Sequence, residues 1–170
     1  MRSATHAARA RGRRLSRSEG FSLPELMVVL VIFGIVSAVA LPGFNKFMRT
    51  LDLNSQVQRT ATTIRVVRQR AITENNNFVV YWDTTTKGWG WWDDDDNDGV
   101  KDGMEKYAAP EALPTGITVT NSTTNPFPSD SVSFLPNGSA SASGSVIFSN
   151  PDGFTRSLSV VRPTGMVTVQ

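Results

Sequence analysis

The sequence predicts an α+β fold in which one long N-terminal α-helix is followed by an antiparallel β-sheet head. Three observations indicate this fold. Residues 21–44 form an apolar run with a single charge, residues 45–77 repeat apolar side chains every three or four positions, and residues 78–170 break into short strand-like pieces. A chain of 170 residues has room for one globular core and an appendage.

Residues 1–20 form a basic leader. They contain six arginines and one acidic residue, Glu19, so the net charge of +2 for the whole chain conceals an uneven distribution. A cut after Gly20 would leave 11 basic and 14 acidic residues, which is a net charge of −3. A protein of that charge has no general attraction for nucleic acid, because such binding depends on neutralising phosphates. Nucleic acid is therefore not an expected partner.

The chain lacks cysteine, and its one histidine, His6, lies in the leader. The remainder therefore cannot form disulfides, thiolate or histidine metal sites, or a catalytic triad based on histidine. Only clustered carboxylates could serve an enzyme, and their spacing suits a metal ion better than an acid–base pair. The sequence predicts a structural protein without catalytic residues.

Residues 21–44 are predicted to form a membrane-spanning helix. At 1.5 Å per residue these residues would span about 36 Å, enough for the hydrocarbon core of a bilayer. Glu25 is their single charge, and a carboxylate near the membrane centre costs about 2.5–3.5 kcal/mol unless it finds a partner. Pro42 removes a helical hydrogen bond to the carbonyl of Ala38, which predicts a kink or a melted turn between Gly34 and Pro42.

The glycine before the apolar run distinguishes this segment from a conventional secretory signal, in which the cleavage site follows that run. The stretch GFSLPEL, residues 20–26, resembles the type III signal of type IV pilins and type II secretion pseudopilins. The resemblance implies that a prepilin peptidase cuts after Gly20 and methylates the amine of Phe21. It also implies that Glu25 pairs with the terminal amine of a neighbouring subunit. An ordinary signal anchor with cytoplasmic arginines is the alternative.

Residues 45–77 are predicted to continue the helix and to end it near residues 74–77, where poor helix formers cluster. The predicted core-facing residues are Phe44, Phe47, Leu51, Val57, Ala61, Ile64, Val67 and Ala71. The arginines between them are Arg49, Arg59, Arg65, Arg68 and Arg70. We interpret these arginines as a solvated face, because no aromatic residues interleave with them to stack on bases.

Seven strands are predicted in the head, residues 78–170, as one antiparallel sheet packed on the carboxyl half of the helix. The predicted strands are residues 78–82, 89–92, 117–120, 131–135, 145–148, 157–161 and 166–169. Turn signals rich in proline and glycine separate several of them. Residues 121–130 are predicted to be an exposed loop, and residues 138–144 a hairpin connection.

Three tryptophans in the second predicted strand present a further choice. Strand alternation would place Trp89 and Trp91 on one face of the sheet and Trp92 on the other. Core packing of at least one of them is the preferred interpretation. A platform for carbohydrate or membrane is the alternative.

Residues 53–82 and 134–170 resemble the start and the end of the GspH/FimT-type pseudopilin domain, which has a pilin-like fold. The resemblance implies a minor pseudopilin of a type II secretion system, anchored by one pass in the bacterial inner membrane with its C-terminal head in the periplasm. Its implied partners are the prepilin peptidase, other pseudopilins or pilins, the inner-membrane assembly platform and membrane lipid. In this interpretation the subunit enters a pseudopilus, or lies at its tip, and serves protein export.

A FimT-like minor type IV pilin, acting in pilus assembly, adhesion or DNA uptake, is the alternative function. Pilins of this kind that bind DNA carry basic residues around their last glycine. Here Gly165 is followed by Met166, Val167 and Thr168, and only Arg156 and Arg162 lie nearby. This departure argues against DNA uptake.

Residues 94–105 reproduce the spacing of a calcium loop, D-x-D-x-D-G-x-x-D-x-x-E. The predicted ligands are Asp94, Asp96, Asp98, Val100, Asp102 and Glu105. Ca²⁺ takes about six to eight oxygen ligands. Val100 would offer its backbone carbonyl as one of them, and Asp102 would act through water. Asp93 and Asp95 are expected to face solvent.

A solvated acidic loop without an ion is the alternative interpretation of these carboxylates. Even with an ion, a paired EF-hand is not predicted. Lys101 stands where such hands carry an apolar residue, and residues 89–92 are predicted to be a strand rather than a helix. The expected ion is a single structural Ca²⁺.

Overall fold

The computed structural model describes residues 20–83 and 88–170, so most of the predicted leader, residues 1–19, lies outside the described residues. Within these residues one α-helix is followed by eight β-strands, and the chain divides into two compact units between Leu41 and Pro42. The elements are α1 (Leu23–Glu74), β1 (Asn77–Asp83), β2 (Gly88–Asp94), β3 (Tyr107–Ala112), β4 (Thr118–Asn121), β5 (Ser131–Phe134), β6 (Gly144–Ser149), β7 (Thr155–Val161) and β8 (Met166–Val169).

The helix α1 begins at Leu23, and the Leu26 N–H donates to the Ser22 carbonyl at 3.1 Å. Pro24 lies in the first turn, where its missing N–H has no helical partner to lose. Residues 34–42 are helical throughout, so the melted turn suggested by the sequence is not present. The predicted kink at Pro42 stays a prediction.

The helix ends at Glu74, which confirms the predicted position. Asn75 adopts a left-handed conformation with φ of 52°, and the Asn76 N–H donates to the Ala71 carbonyl at 3.2 Å. These two features form a Schellman-type cap, in which a residue with positive φ redirects the chain and satisfies a terminal carbonyl. Asparagine tolerates this conformation better than most residues, so the run of asparagines stops the helix.

The strands form two four-stranded antiparallel sheets, and the expectation of one sheet was wrong. The first sheet has the order β3-β2-β1-β5 and the second β4-β6-β7-β8. Residues 138–144 do not connect two paired strands as predicted, because β5 belongs to the first sheet and β6 to the second, although Ala140 turns back to form an antiparallel bridge with Phe134. A chain that passes between sheets has the same length and small polar residues as a hairpin, so its composition did not distinguish them.

Seven of the eight strands lie at the predicted places, and β3 is the strand that the sequence did not predict. It contains Pro110, which cannot donate a ladder hydrogen bond and usually argues against a strand. β3 pairs only with β2, at the edge of the first sheet, where such a residue is tolerated.

A single hydrophobic core joins both sheets to the carboxyl half of α1. Five of the eight predicted core-facing helix residues are buried, namely Val57, Ala61, Ile64, Val67 and Ala71. Phe44, Phe47 and Leu51 are exposed, which corrects the prediction. At about 100° per residue they lie roughly 120–180° around the helix from the buried Leu53. In the predicted set, six positions separate Leu51 from Val57, which is not a helical spacing. The residues before and after this gap therefore lie on different faces of the helix.

The arginines of α1 do not form a merely solvated face, because each contacts the head. Two of them form ion pairs, Arg49 with Asp152 at 3.2 Å and Arg59 with Glu111 at 3.3 Å. Two donate hydrogen bonds to main-chain carbonyls, Arg65 Nη2 to Val167 at 3.0 Å and Arg68 Nε to Gly138 at 2.8 Å. The Arg70 guanidinium lies 5.0 Å from the centroid of the Trp91 ring. These contacts attach the helix to loops and strands of both sheets.

The loop at residues 121–130 is not exposed along its whole length. Phe127 is 2% exposed, and its ring stacks on Trp82 with centroids 4.7 Å apart. The Asn121 side chain fixes the loop by accepting from the Phe127 N–H and donating to the Phe127 carbonyl, both at 2.8 Å. The prolines and polar residues of this segment predict an exposed loop and give no sign that Phe127 is buried.

The tryptophans of β2 confirm the prediction of core packing. Trp89 is 2% exposed and belongs to the core, and Trp91 packs partly buried against it. Trp92 is also buried and lies opposite Val79, with its ring 5.2 Å from that of Tyr81. These contacts account for the three rings without an external ligand.

Gly165→Ala is expected to lower the free energy of unfolding by about 1–3 kcal/mol more than Gly153→Ala, because it adds overpacking to backbone strain. Both glycines have positive φ, 59° and 84°, so both substitutions strain the backbone. A Cβ at Gly165 would also lie 2.7 Å from the Arg68 Nε and closer still to the Gly138 carbonyl oxygen, whereas Gly153 has open space. Chemical denaturation of both variants measures the difference, and equal losses would contradict the expected clash.

Candidate functional site

The N-terminal part of α1 exposes a continuous apolar surface. It contains an 18-residue window with a mean hydropathy of 2.6, and none of that window is buried. By length and composition, this part of the helix can cross a membrane. Gly20 and Phe21 lie immediately before the helix, where Phe21 is 78% exposed and the Gly20 Cα faces open space.

Glu25 is the third residue of α1 and lies in its first turn. Unpaired backbone N–H groups and the helix macrodipole make this end of a helix favourable for a carboxylate. Within residues 20–83 and 88–170, no ion pair forms with Glu25. The structure therefore places Gly20, Phe21 and Glu25 in one short exposed stretch and leaves the carboxylate of Glu25 available to another molecule.

The predicted calcium loop connects two paired strands, since β2 ends at Asp94 and β3 begins at Tyr107. At its base, the Asp93 N–H donates to the Lys106 carbonyl at 2.9 Å. The flanking strands agree with the expectation that no EF-hand helices surround the loop. The site thus closes an antiparallel hairpin.

Three of the predicted ligands come together in this loop. Asp94, Asp96 and Asp98 each offer one carboxylate oxygen, and these oxygens all lie within 4.8 Å of one another. Their carboxylates also hold the loop backbone: Asp94 accepts from the Gly99 N–H at 3.1 Å, Asp96 from the Asp98 N–H at 3.2 Å and Asp98 from the Val100 N–H at 2.6 Å. Gly99 has φ of 72°, as the predicted sharp turn requires.

Like Asp94, which is 3% exposed, Glu105 is buried, with 7% exposure. Its Oε2 accepts from the Asp102 N–H at 2.9 Å, and its Oε1 is buried without a hydrogen-bond partner in the described part of the chain. Burial raises the pKa of this carboxyl, the hydrogen bond from Asp102 lowers it, and the nearby carboxylates of Asp102, Asp94 and Asp96 raise it again.

A cleft of about 320 Å³ lies beside these residues. Asp95, Asp96, Asp102, Met104 and Glu105 line it. Asp102 is outside the close group of three carboxylates, and it accepts from the Met104 N–H at 2.7 Å. Its predicted action through water stays a prediction.

The expectation that Asp93 faces solvent was wrong, whereas Asp95 is exposed as predicted. Asp93 is 1% exposed, its Oδ2 lies 3.8 Å from Lys106 Nζ, and its Oδ1 is buried without a partner in the described residues. Asp93 belongs to the paired part of β2, where it lies opposite Phe78 of β1. Asp95 accepts from the Asn76 amide at 2.7 Å.

Two family models match the sequence. The model described as type II transport protein GspH matches residues 56–165. The model of the prokaryotic N-terminal methylation motif matches residues 15–41, which contain Gly20, Phe21 and Glu25. No curated protein matches the chain.

Solved structures share the fold at low sequence identity. The minor pseudopilin EpsH of the type II secretion system of Vibrio cholerae matches with a TM-score of 0.52 and 15% identity, over 70% of this chain and 96% of that one. A crystal structure of EpsH gives 0.53 and 12% over 69% and 92% of the two chains. The type IV minor pilin FimU of Pseudomonas aeruginosa gives 0.51 and 16% over 73% and 92%.

Proposed function

Because the chain belongs to the family of the type II transport protein GspH, we propose that it is a minor pseudopilin, a structural subunit of a type II secretion system. It enters a periplasmic pseudopilus, or lies at its tip, and thereby serves protein export. Its role is assembly rather than catalysis. The observation that carries this proposal is the exposed apolar segment of α1. It follows Gly20, which lies within the matched methylation motif, and it has the carboxylate of Glu25 in its first turn.

In this proposal, a prepilin peptidase cuts after Gly20 and methylates the new terminal amine of Phe21. The matched methylation motif supports this step. Before cleavage, the arginines of the leader hold the N-terminal end of α1 on the cytoplasmic side. After cleavage, the apolar part of α1 remains in the bacterial inner membrane as a single pass, with the C-terminal head in the periplasm. The apolar residues exposed along this segment contact lipid until the subunit leaves the membrane.

Assembly transfers this apolar surface from lipid to the helices of neighbouring subunits. Glu25 directs the transfer by pairing with the terminal amine of a neighbouring pseudopilin or pilin. A carboxylate that costs about 2.5–3.5 kcal/mol in lipid gains most where it meets an opposite charge. Phe44, Phe47 and Leu51, which are exposed on the far side of the helix from the head core, provide further apolar contacts. The inner-membrane assembly platform is the partner that brings the subunits together.

The alternative, a minor type IV pilin, has the support of the similar fold of FimU. The fold alone does not separate the two functions, since the matches to EpsH and FimU are nearly equal. The net charge of −3 after cleavage argues against the DNA-uptake form of the alternative.

Deletion of the gene in its own bacterium separates the two functions. We expect secreted enzymes to accumulate in the periplasm while twitching motility and DNA uptake stay normal, and we expect the intact gene to restore secretion. Normal secretion together with lost twitching would reassign the chain to a type IV pilus. Loss of neither activity would contradict both functions.

Gly20→Val is expected to leave most of the protein as an uncleaved precursor, because a β-branched side chain would occupy the position from which the peptidase cuts. Gly34→Val is the matched control, since Gly34 also faces open space but lies within the helix. Mass spectrometry of the N-terminus measures cleavage and the added methyl group. Normal processing of Gly20→Val would contradict the assigned cleavage position.

A further inference from the structure

We propose that the β2–β3 connection binds one Ca²⁺ ion through the carboxylates of Asp94, Asp96, Asp98 and Glu105 and the backbone carbonyl of Val100, with Asp102 acting through water. This site does not depend on the assembly role, because it rests on the geometry and chemistry of the loop alone. The ion is structural and closes the hairpin that forms the edge of the first sheet.

The spacing of the three close carboxylates fits a calcium ion. Ca²⁺ binds oxygens at roughly 2.3–2.6 Å, so two ligands on opposite sides of the ion are about 5 Å apart. The oxygens of Asp94, Asp96 and Asp98 all lie within 4.8 Å of one another and can therefore surround one ion. Their hydrogen bonds to the Gly99, Asp98 and Val100 N–H groups orient these side chains within the loop.

Glu105 provides a second and independent observation. Acidic residues in an exposed loop normally point into water, but this side chain is 93% buried, with Oε1 unpartnered in the described residues. An unpaired buried carboxylate oxygen is costly unless a cation or a donor satisfies it. Because Glu105 lines the same cleft as Asp96 and Asp102, a cation bound there satisfies this oxygen.

The basic residues of the loop do not supply the missing charge to the three close aspartates. Lys101 Nζ lies over the Tyr107 ring, 3.6 Å from its centroid, and Lys106 Nζ lies near Asp93 at 3.8 Å. Several carboxylates held together without a counterion repel one another. A divalent cation removes this repulsion and uses the oxygens in the arrangement that they already have.

Calcium suits this site better than magnesium. Mg²⁺ requires nearly octahedral geometry at roughly 2.0–2.1 Å and keeps several of its waters, whereas Ca²⁺ accepts more oxygens in a less regular arrangement. This short loop offers four carboxylates and a backbone carbonyl as direct ligands and one further carboxylate through a bridging water, which matches the preference of Ca²⁺. Single sites in extracellular proteins bind Ca²⁺ at about 10⁻⁴–10⁻³ M, and we expect an affinity in this range.

The proposal is tested on the full chain, purified in detergent, stripped with chelator and titrated with CaCl₂ or MgCl₂. We expect saturable binding of one Ca²⁺, a change in tryptophan fluorescence from the adjacent Trp91 and Trp92, and a rise of a few degrees in the Tm of the head. Asp98→Asn and Glu105→Gln should each weaken Ca²⁺ binding by at least about tenfold, since each removes a charged ligand. Two variants keep the test decisive if one of them misfolds.

Asp52→Asn is the matched control, because it removes the same charge from an exposed carboxylate of α1 that belongs neither to the loop nor to the lining of its cleft. We expect it to bind Ca²⁺ like the unchanged protein. An equal loss in Asp52→Asn and Asp98→Asn would overturn the proposal, since it would indicate diffuse attraction to the net negative charge of the protein. Absence of saturable binding at millimolar Ca²⁺, or equally tight binding of Mg²⁺, would also overturn it.

Discussion

Replacing Glu25 with glutamine is expected to leave processing and membrane insertion intact while reducing incorporation into filaments by about 30-fold or more. Loss of one member of a desolvated charge pair costs about 2–5 kcal/mol, which corresponds to at least this factor. Insertion should not suffer, because glutamine has nearly the same shape as glutamate and no charge to desolvate. Cross-linking of the variant to neighbouring subunits, compared with the amount of processed protein in the membrane, measures incorporation directly.

Glu74→Gln provides the matched control for this substitution. Glu74 is an exposed glutamate on the same helix, at its opposite end, and it makes no ion pair in the described residues. Its replacement should change neither incorporation nor secretion. Undiminished incorporation of Glu25→Gln would show that the carboxylate does not direct assembly, and the apolar contacts alone would then have to account for it.

Phe127→Ala is expected to cost about 3–5 kcal/mol of head stability, because it removes a fully buried ring from a packed site. Phe127 stacks on Trp82, and Gly144 approaches the ring so closely that even a Cβ would clash with it. Domains of this size are stable by only about 5–15 kcal/mol, so the loss is a large part of the total. Urea denaturation followed by tryptophan fluorescence gives the free energy of unfolding.

The control for this prediction is Phe154→Ala. Phe154 is 52% exposed, so its removal should change the free energy of unfolding by no more than about 0.5 kcal/mol. Similar losses in the two variants would contradict the idea that Phe127 anchors its loop. A loss confined to Phe127→Ala would show that this residue anchors the loop at residues 121–130 to the core.

The sequence predicted the features that depend on local chemistry. The asparagine run ends α1 where expected, because Asn75 accepts the left-handed conformation. Alternating apolar residues located seven strands, and residues such as Val80 and Val146 are fully buried. These signals depend on neighbours in the chain, so a single sequence contains them.

Features that depend on distant parts of the chain could not be predicted in the same way. Nothing in residues 138–144 indicates that they pass from one sheet to the other. The burial of Phe127 depends on Trp82, which is 45 positions away in the chain. Pro110 is acceptable in β3 only because that strand lies at the edge of its sheet. Each of these facts requires knowledge of which strands are neighbours.

For the candidate sites, spacing predicted which residues would be close but not how deeply they would be buried. Asp94, Asp96 and Asp98 form the expected group. The burial of Asp93 and Glu105 arises from the way in which β2 and β3 pair beneath the loop, and the sequence pattern contains no sign of that. Val100 and Asp102 have the predicted spacing, and their part in binding stays a prediction.

Arg65 and Arg68 attach the helix to the head through the main-chain carbonyls of Val167 and Gly138. A carbonyl oxygen is present whichever amino acid occupies a position, so the hydrogen bond to Val167 does not itself require a particular side chain. The exposed side chains of β8 can therefore change while Arg65 keeps its hydrogen bond to this strand. Gly138 is different, because it has φ of 81° and a Cβ there would lie 3.1 Å from Arg68 Nη2. The attachment of the helix therefore tolerates sequence change in β8 but restricts position 138 to glycine.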